Sequence, residues 1–238
     1  GNLFGSSIAD VLLVAGISAF IFTFRFSKKD LELSSIGITI VALLVSLIFI
    51  SQGITQNFGV FSILLFIHFS YFIMKKRVVP EKTKVKKDHI IIYSILLFSF
   101  LVLVVFSAHV ITSSALKIAT DVGITTTYIG VLLAIGTTLP EMSVSLAALK
   151  KKNTTLAIGN IIGSVVVNLG LILGLVAIIH PVRFTFIDSF IAISLLVSNL
   201  VLYIFMTKKK LGRMEGSTLI FIYILFLFLL TAARSFGF

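Results

Sequence analysis

"GNLFGSSIADVLLVAG", residues 1–16, returns later in the chain as "GNIIGSVVVNLGLILG", residues 159–174. The two stretches align at an offset of 158 and agree at Gly, Asn, Gly, Ser, a leucine (Leu13 and Leu171) and the closing glycine. The polar residues recur in register, which chance likeness between two glycine-rich apolar segments does not explain. On a helix, Asn160, Ser164 and Asn168 fall at i, i+4 and i+8 and make one stripe. Asn2, Ser6 and Asp10 make the same stripe in the first copy. Gly159 and Gly163, like Gly1 and Gly5, let another helix approach closely. Packing accounts for the glycines. It does not account for Asp10, because a carboxylate inside an apolar span is costly unless it faces a partner, an ion or water.

The rest of the chain supplies the setting. Its 238 residues are 58% hydrophobic and 12% charged, more apolar surface than a soluble domain can hide. Eight apolar runs approach bilayer-crossing length, at about 4–24, 35–51, 58–74, 90–111, 125–149, 155–179, 185–206 and 217–234. Runs such as "IGITIVALLVSLIFI" do not alternate, which argues against a membrane β-barrel. The expected class is an all-α polytopic membrane protein in contact with lipid. Disulfide and thiol chemistry are excluded, because there is no cysteine.

The net charge of +11 lies in short loops, so it reads as a topology signal rather than a nucleic-acid surface. Of 20 Lys and Arg residues, 17 fall on one side of the eight spans; Lys117, Arg183 and Arg234 fall on the other. The basic side is expected to be cytoplasmic, with both ends of the chain facing outward. The longest polar break, "KKRVVPEKTKVKKDH" at 75–89, is a cytoplasmic loop dividing residues 1–74 from 90–238. By this topology the two copies run in opposite directions, and inverted repeats are an architecture of secondary transporters.

The second copy has an upstream arm, "GTTLPEMS" at 136–143. Relative to Glu141, Thr138 and Thr137 lie at i−3 and i−4, Ala134 at i−7, Ser145 at i+4 and Ala148 at i+7, so one helix face is small or polar. Pro140 lacks an amide hydrogen and its ring meets the Gly136 carbonyl, so the helix is expected to bend or break there. Freed carbonyls, hydroxyls and a carboxylate make an all-oxygen environment suited to hard cations such as Na⁺ and Ca²⁺. His68, set among Phe66, Ile67 and Phe69, reads as a packed or hydrogen-bonded core residue rather than a proton relay. Asp121 and Asp188 lie near the outer surface and read as solvated residues, with attraction of cations to the entrance as the alternative.

These residues resemble the α-repeats of the cation/calcium exchanger superfamily, which includes sodium/calcium exchangers. "VLLAIGTTLPEMSVSLAA" with "AIGNIIGSVVVNLGLILG" resembles the whole second α-repeat, at about 125–179; "GNLFGSSIADVLLVAGIS" resembles only the downstream helix of the first. The resemblance implies a cation site at the membrane centre: Glu141 as a carboxylate ligand, Thr137 and Thr138 as hydroxyl and carbonyl partners, and Ala134 as a carbonyl ligand. It matches Ser164 and Asn168 to the facing helix, and Ser6 and Asp10 to their equivalents in the first repeat. It further implies that two helices of the same protein, carrying a second glutamate, are missing ahead of Gly1, so that the first repeat is incomplete. The acidic and amide residues, Asp10 and Asn168, stand the other way round from sodium/calcium members. The function implied is antiport of Ca²⁺ against Na⁺ in the plasma membrane, with no enzymatic step and no cofactor. Ca²⁺/H⁺ antiport, a passive cation channel and an inactive truncated fragment stay open.

Overall fold

Backbone groups near a bilayer must find partners, and the loops of this protein find them in one another. The computed structural model describes residues 2–75, 87–122 and 126–235. They form helices α1 (Asn2–Ile21), α2 (Lys28–Ile50), α3 (Gln56–Lys75), α4 (Lys87–Val122), α5 (Thr126–Lys150), α6 (Thr154–Ile179), α7 (Phe186–Thr207) and α8 (Arg213–Ser235). Strands β1 (Phe24–Arg25), β2 (Gly53–Ile54), β3 (Val182–Arg183) and β4 (Lys210–Leu211) lie in the loops. Each expected span is met by a helix. Among the described residues six of these, all but α4 and α5, are long and apolar enough to cross a membrane. The expected loop 75–89 lies mostly outside the described residues. The 36 residues of α4 outrun the expected 90–111 and span about 54 Å, so its ends reach past a bilayer core.

The strands define the two ends of the bundle. Antiparallel β1 and β4 pair Phe24 with Leu211 and Arg25 with Lys210; β2 and β3 pair Gly53 with Arg183 and Ile54 with Val182. The loops after α1 and α7 therefore meet at one end, and those after α2 and α6 at the other, as the alternating charge pattern requires. Basic residues crowd the first ladder, whereas the second carries Arg183 alone.

The internal repeat is longer than its sequence motif. An offset of 158 carries β1 onto β3 and the Ser27–Asp30 pair onto Thr185–Asp188. Both pairs are reciprocal helix caps. Asp30 N donates to Ser27 Oγ (3.2 Å) and Ser27 N to Asp30 Oδ2 (2.7 Å), while Asp188 N donates to Thr185 Oγ1 (3.2 Å) and Thr185 N to Asp188 Oδ2 (3.0 Å). Asp188 is thus a capping residue, not a free surface charge. Within α1 and α6, π-helical turns fall at matching places, Asp10–Val14 and Val167–Ile172. Such turns insert a residue and misalign the local hydrogen bonds.

Helix contacts obey the same symmetry. A Cβ on Gly216 of α8 would lie 2.6 Å from the Gly16 carbonyl of α1, and one on Gly59 of α3 would lie 2.6 Å from the Gly174 carbonyl of α6. Only glycine permits these approaches. Helix α1 sits at the centre. Its most apolar window is 72% buried, against 22% for α3, and Ile8, Ala9, Val11, Leu12, Val14 and Ala15 are wholly enclosed. Helix α2 packs on α6 and α7, so the two sequence halves share one core. Leu64, Ile67, Tyr71, Phe221 and Phe228 face outward, as lipid-contacting residues do. His68 is also exposed, which overturns the expectation of a packed residue: it follows Ile67 on the outward face of α3. Replacing Gly216 or Gly59 by leucine should lower the melting temperature in detergent sharply, because the overpacking costs about 1–3 kcal/mol or more. Gly159→Ala, whose Cβ meets only Leu33 Cδ2 at 3.8 Å, should leave it nearly unchanged.

Candidate cation site

Three helices, α1, α5 and α6, carry the candidate ligands. Helix α5 folds back on α6 after the 150–153 turn and passes α1 where Ala134 faces Gly5. Asn160 holds the hairpin closed. Its Nδ2 donates to the Glu141 carbonyl (3.0 Å) and to Ser145 Oγ (3.1 Å). One and two turns further along the same stripe, α6 meets α1 through two further bonds. Ser164 Oγ donates to Asp10 Oδ2 (2.8 Å), and Asn168 Nδ2 donates to Ser7 Oγ (3.2 Å). The matching stripes of the two repeats therefore face each other.

The hydrogen-bond inventory is lopsided. Ser164 Oγ donates its hydrogen bond to Asp10, Thr137 Oγ1 donates to the Ala134 carbonyl (3.0 Å), and Ser6 and Ser7 both donate to the Leu3 carbonyl (3.1 and 2.8 Å). Acceptors are left over. Among the described residues Asp10 Oδ1 and Glu141 Oε2 are buried without a hydrogen-bond partner, and α5, which carries Glu141, packs on the turn of α1 that begins at Asp10. No lysine or arginine occurs in α1, in α6, or in α5 ahead of Lys150. Buried negative oxygen without donors is unstable unless a cation or a proton joins it. Among the described residues there is no cluster of three or more His, Asp or Glu side chains, so the group consists of two carboxyls among neutral oxygens. That composition suits a hard cation.

The structure bonds Ser164 to Asp10 and Asn168 to Ser7 and packs α5, with Glu141 and the buried Ala134, against both α1 and α6. Thr138 is buried and Thr137 exposed, so the two threonines are not equivalent. Helix α5 does not break at Pro140: it is continuous from Thr126 to Lys150. A proline removes only the bond its own nitrogen would make, and the flanking bonds carry the helix across. The irregular backbone lies instead in the π-helical turns of α1 and α6, which contain Asp10 and Asn168. Asn160, Ser145 and Ser7 join the polar network although none was among the candidate ligands. Asn160 and Ser145 stood in the two polar stripes. Ser7 had no such signal, because its partner lies 161 residues away.

Comparison with known proteins fits this arrangement. The family model described as sodium/calcium exchanger protein matches residues 92–232. This chain belongs to the sodium/calcium exchanger family. The exchanger-family chain is 30% identical over 228 residues to the uncharacterized membrane protein MJ0091 of Methanocaldococcus jannaschii, covering 94% of this chain and 74% of that protein. It is 34% identical over 130 residues to the sodium/calcium exchanger MaX1 of Methanosarcina acetivorans, covering 53% of this chain and 37% of that one. Its fold is similar to that of the sodium-calcium exchanger NCX_Mj soaked with 10 mM Na⁺ and zero Ca²⁺. The TM-score is 0.76 at 28% identity, over 94% of this chain and 74% of that one. The chain is thus an integral membrane protein of a cation antiporter family. In this exchanger-family chain, Asn160→Ala should lower stability in cation-free detergent by about 1–3 kcal/mol, because the Glu141 carbonyl and Ser145 lose their donor. Thermal unfolding followed by size exclusion measures it.

Proposed function

We propose that the protein carrying this chain exchanges Ca²⁺ for Na⁺ by alternating access, using the cluster around Glu141 and Asp10. The observation that carries the reading is that two carboxylate oxygens of this cluster, Asp10 Oδ1 and Glu141 Oε2, are buried with no partner among the described residues, beside hydroxyls whose hydrogens are already donated. Two negative charges suit one divalent ion or a set of monovalent ions. One cluster cannot hold both loads at once, so the ions must take turns. Ser164, Asn168, Ser6, Thr137, Thr138 and the Ala134 carbonyl supply neutral oxygen. Exchange uses no covalent chemistry and no bound cofactor. The less polar spans slide past the helices that carry the ligands and expose the cluster to one side and then the other.

The same reading assigns a partner to the vacant side of the cluster. Asn160 grips α5, while its repeat mate Asn2 is exposed; Gly5 touches Ala134, while an added Cβ on its mate Gly163 meets nothing within 4 Å among the described residues. A helix of the same protein, the repeat mate of α5, fits that position and brings a further carboxylate. The protein lies in the plasma membrane, with both ends of this chain outward and the 75–89 loop in the cytoplasm.

Flux decides the matter. Vesicles holding the complete protein, loaded with Na⁺ and diluted into Na⁺-free medium, should take up Ca²⁺. Glu141→Gln should reduce that uptake to the protein-free background. Uptake driven by a proton gradient alone would replace Na⁺ with H⁺ as the coupling ion. Flux indifferent to both gradients would mean a channel, and unchanged uptake in Glu141→Gln would remove the site.

A further inference from the structure

The two repeats are not equal at the centre. The offset of 158 pairs Asp10 with Asn168 and Ser7 with Val165. A carboxylate presents two equivalent oxygens. A side-chain amide presents one oxygen and one NH₂, and turned the wrong way it aims donors where an acceptor is needed. An amide in a cation site therefore needs something to fix its orientation.

Ser7 has the required chemistry. Its hydroxyl proton goes to the Leu3 carbonyl at 2.8 Å, so its oxygen is left to accept, and Asn168 Nδ2 donates to it at 3.2 Å. Ser7 is wholly enclosed, so no solvent competes for that oxygen. The amide nitrogen is held on the α1 side, and Oδ1, on the other side of the amide carbon, is turned away from Ser7. The repeat mate of this contact would join Asp10 to position 165, which is a buried valine. An orienting acceptor thus stands opposite the amide, which needs one, and an apolar side chain opposite the carboxyl, which does not.

We infer that Ser7 is a positioning residue that locks the Asn168 amide with Oδ1 toward the cation cluster, so that an amide can serve where the other repeat uses a carboxylate. The inference rests on the cation site proposed above. The test is a double-mutant cycle on the complete protein in detergent, with Ca²⁺ titrated calorimetrically. Ser7→Ala should weaken Ca²⁺ binding about tenfold, and Ser7→Thr should restore it, since threonine keeps the hydroxyl. In an Asn168→Asp background, Ser7→Ala should change affinity by less than about twofold, because a carboxylate needs no orienting. If Ser7→Ala does not fold, Ser7→Cys, a weak acceptor, takes its place in the same cycle. An equal loss in both backgrounds makes Ser7 a packing residue and overturns the inference. Loss of binding in Glu141→Gln with none in Ser7→Ala overturns it while leaving the cation site standing. Loss in neither variant removes the cation site as well.

Discussion

The bond from Ser164 to Asp10 joins two elements that are 154 residues apart in sequence and carry the same motif in opposite directions. It satisfies one carboxylate oxygen and leaves the other bare in the interior. Around that imbalance the remaining features make sense. The central helices must come close, so their contacts use glycine and serine. Their flanks must be free of lysine and arginine, or the negative oxygens would be neutralised permanently by the protein itself. Their backbone must be irregular at the same depth, and the π-helical turns at Asp10–Val14 and Val167–Ile172 provide this.

Duplication explains why the fold can place these features so accurately. Two contacts made by one repeat are made again by the other with the partners exchanged. The β1–β4 ladder becomes β3–β2, and the Gly16–Gly216 crossing becomes Gly174–Gly59. Two symmetric crossings hold α1 against α8 and α6 against α3. The cluster therefore sits between two braced pairs of helices. At the centre the repeats differ, one carrying a carboxyl and the other an amide. There the surrounding residues diverge as well, with serine facing the amide and valine at the matching place.

Much of this was legible in the residues alone. The eight helices follow from eight apolar runs and the one-sided distribution of lysine and arginine, because hydrophobic length and loop charge are local properties. The polar stripes of α1 and α6 follow from helical periodicity, and Glu141 stood out because a carboxylate among leucines is costly. The unbroken course of α5 through Pro140 was not legible, since the strength of the flanking helix decides it. The outward position of His68 was hidden too: one side of an apolar helix looks like another until its neighbours are in place. Ser7 escaped notice because a small hydroxyl residue beside Ser6 carries no signal until Asn168 arrives opposite.

The sequence by itself determined that this is a helical membrane protein, which residues could not be left to lipid, and that two segments repeat in opposite orientation. These conclusions need only composition, period and spacing, which act over a few turns of chain. The tertiary structure alone decided which donors are consumed and which acceptors are left over. Hydrogen bonds between side chains 154 and 161 residues apart exist only once α1 and α6 pack. A surplus of acceptors belongs to the packed cluster and to none of its segments, so the character of the cation site appears only when the repeats face each other.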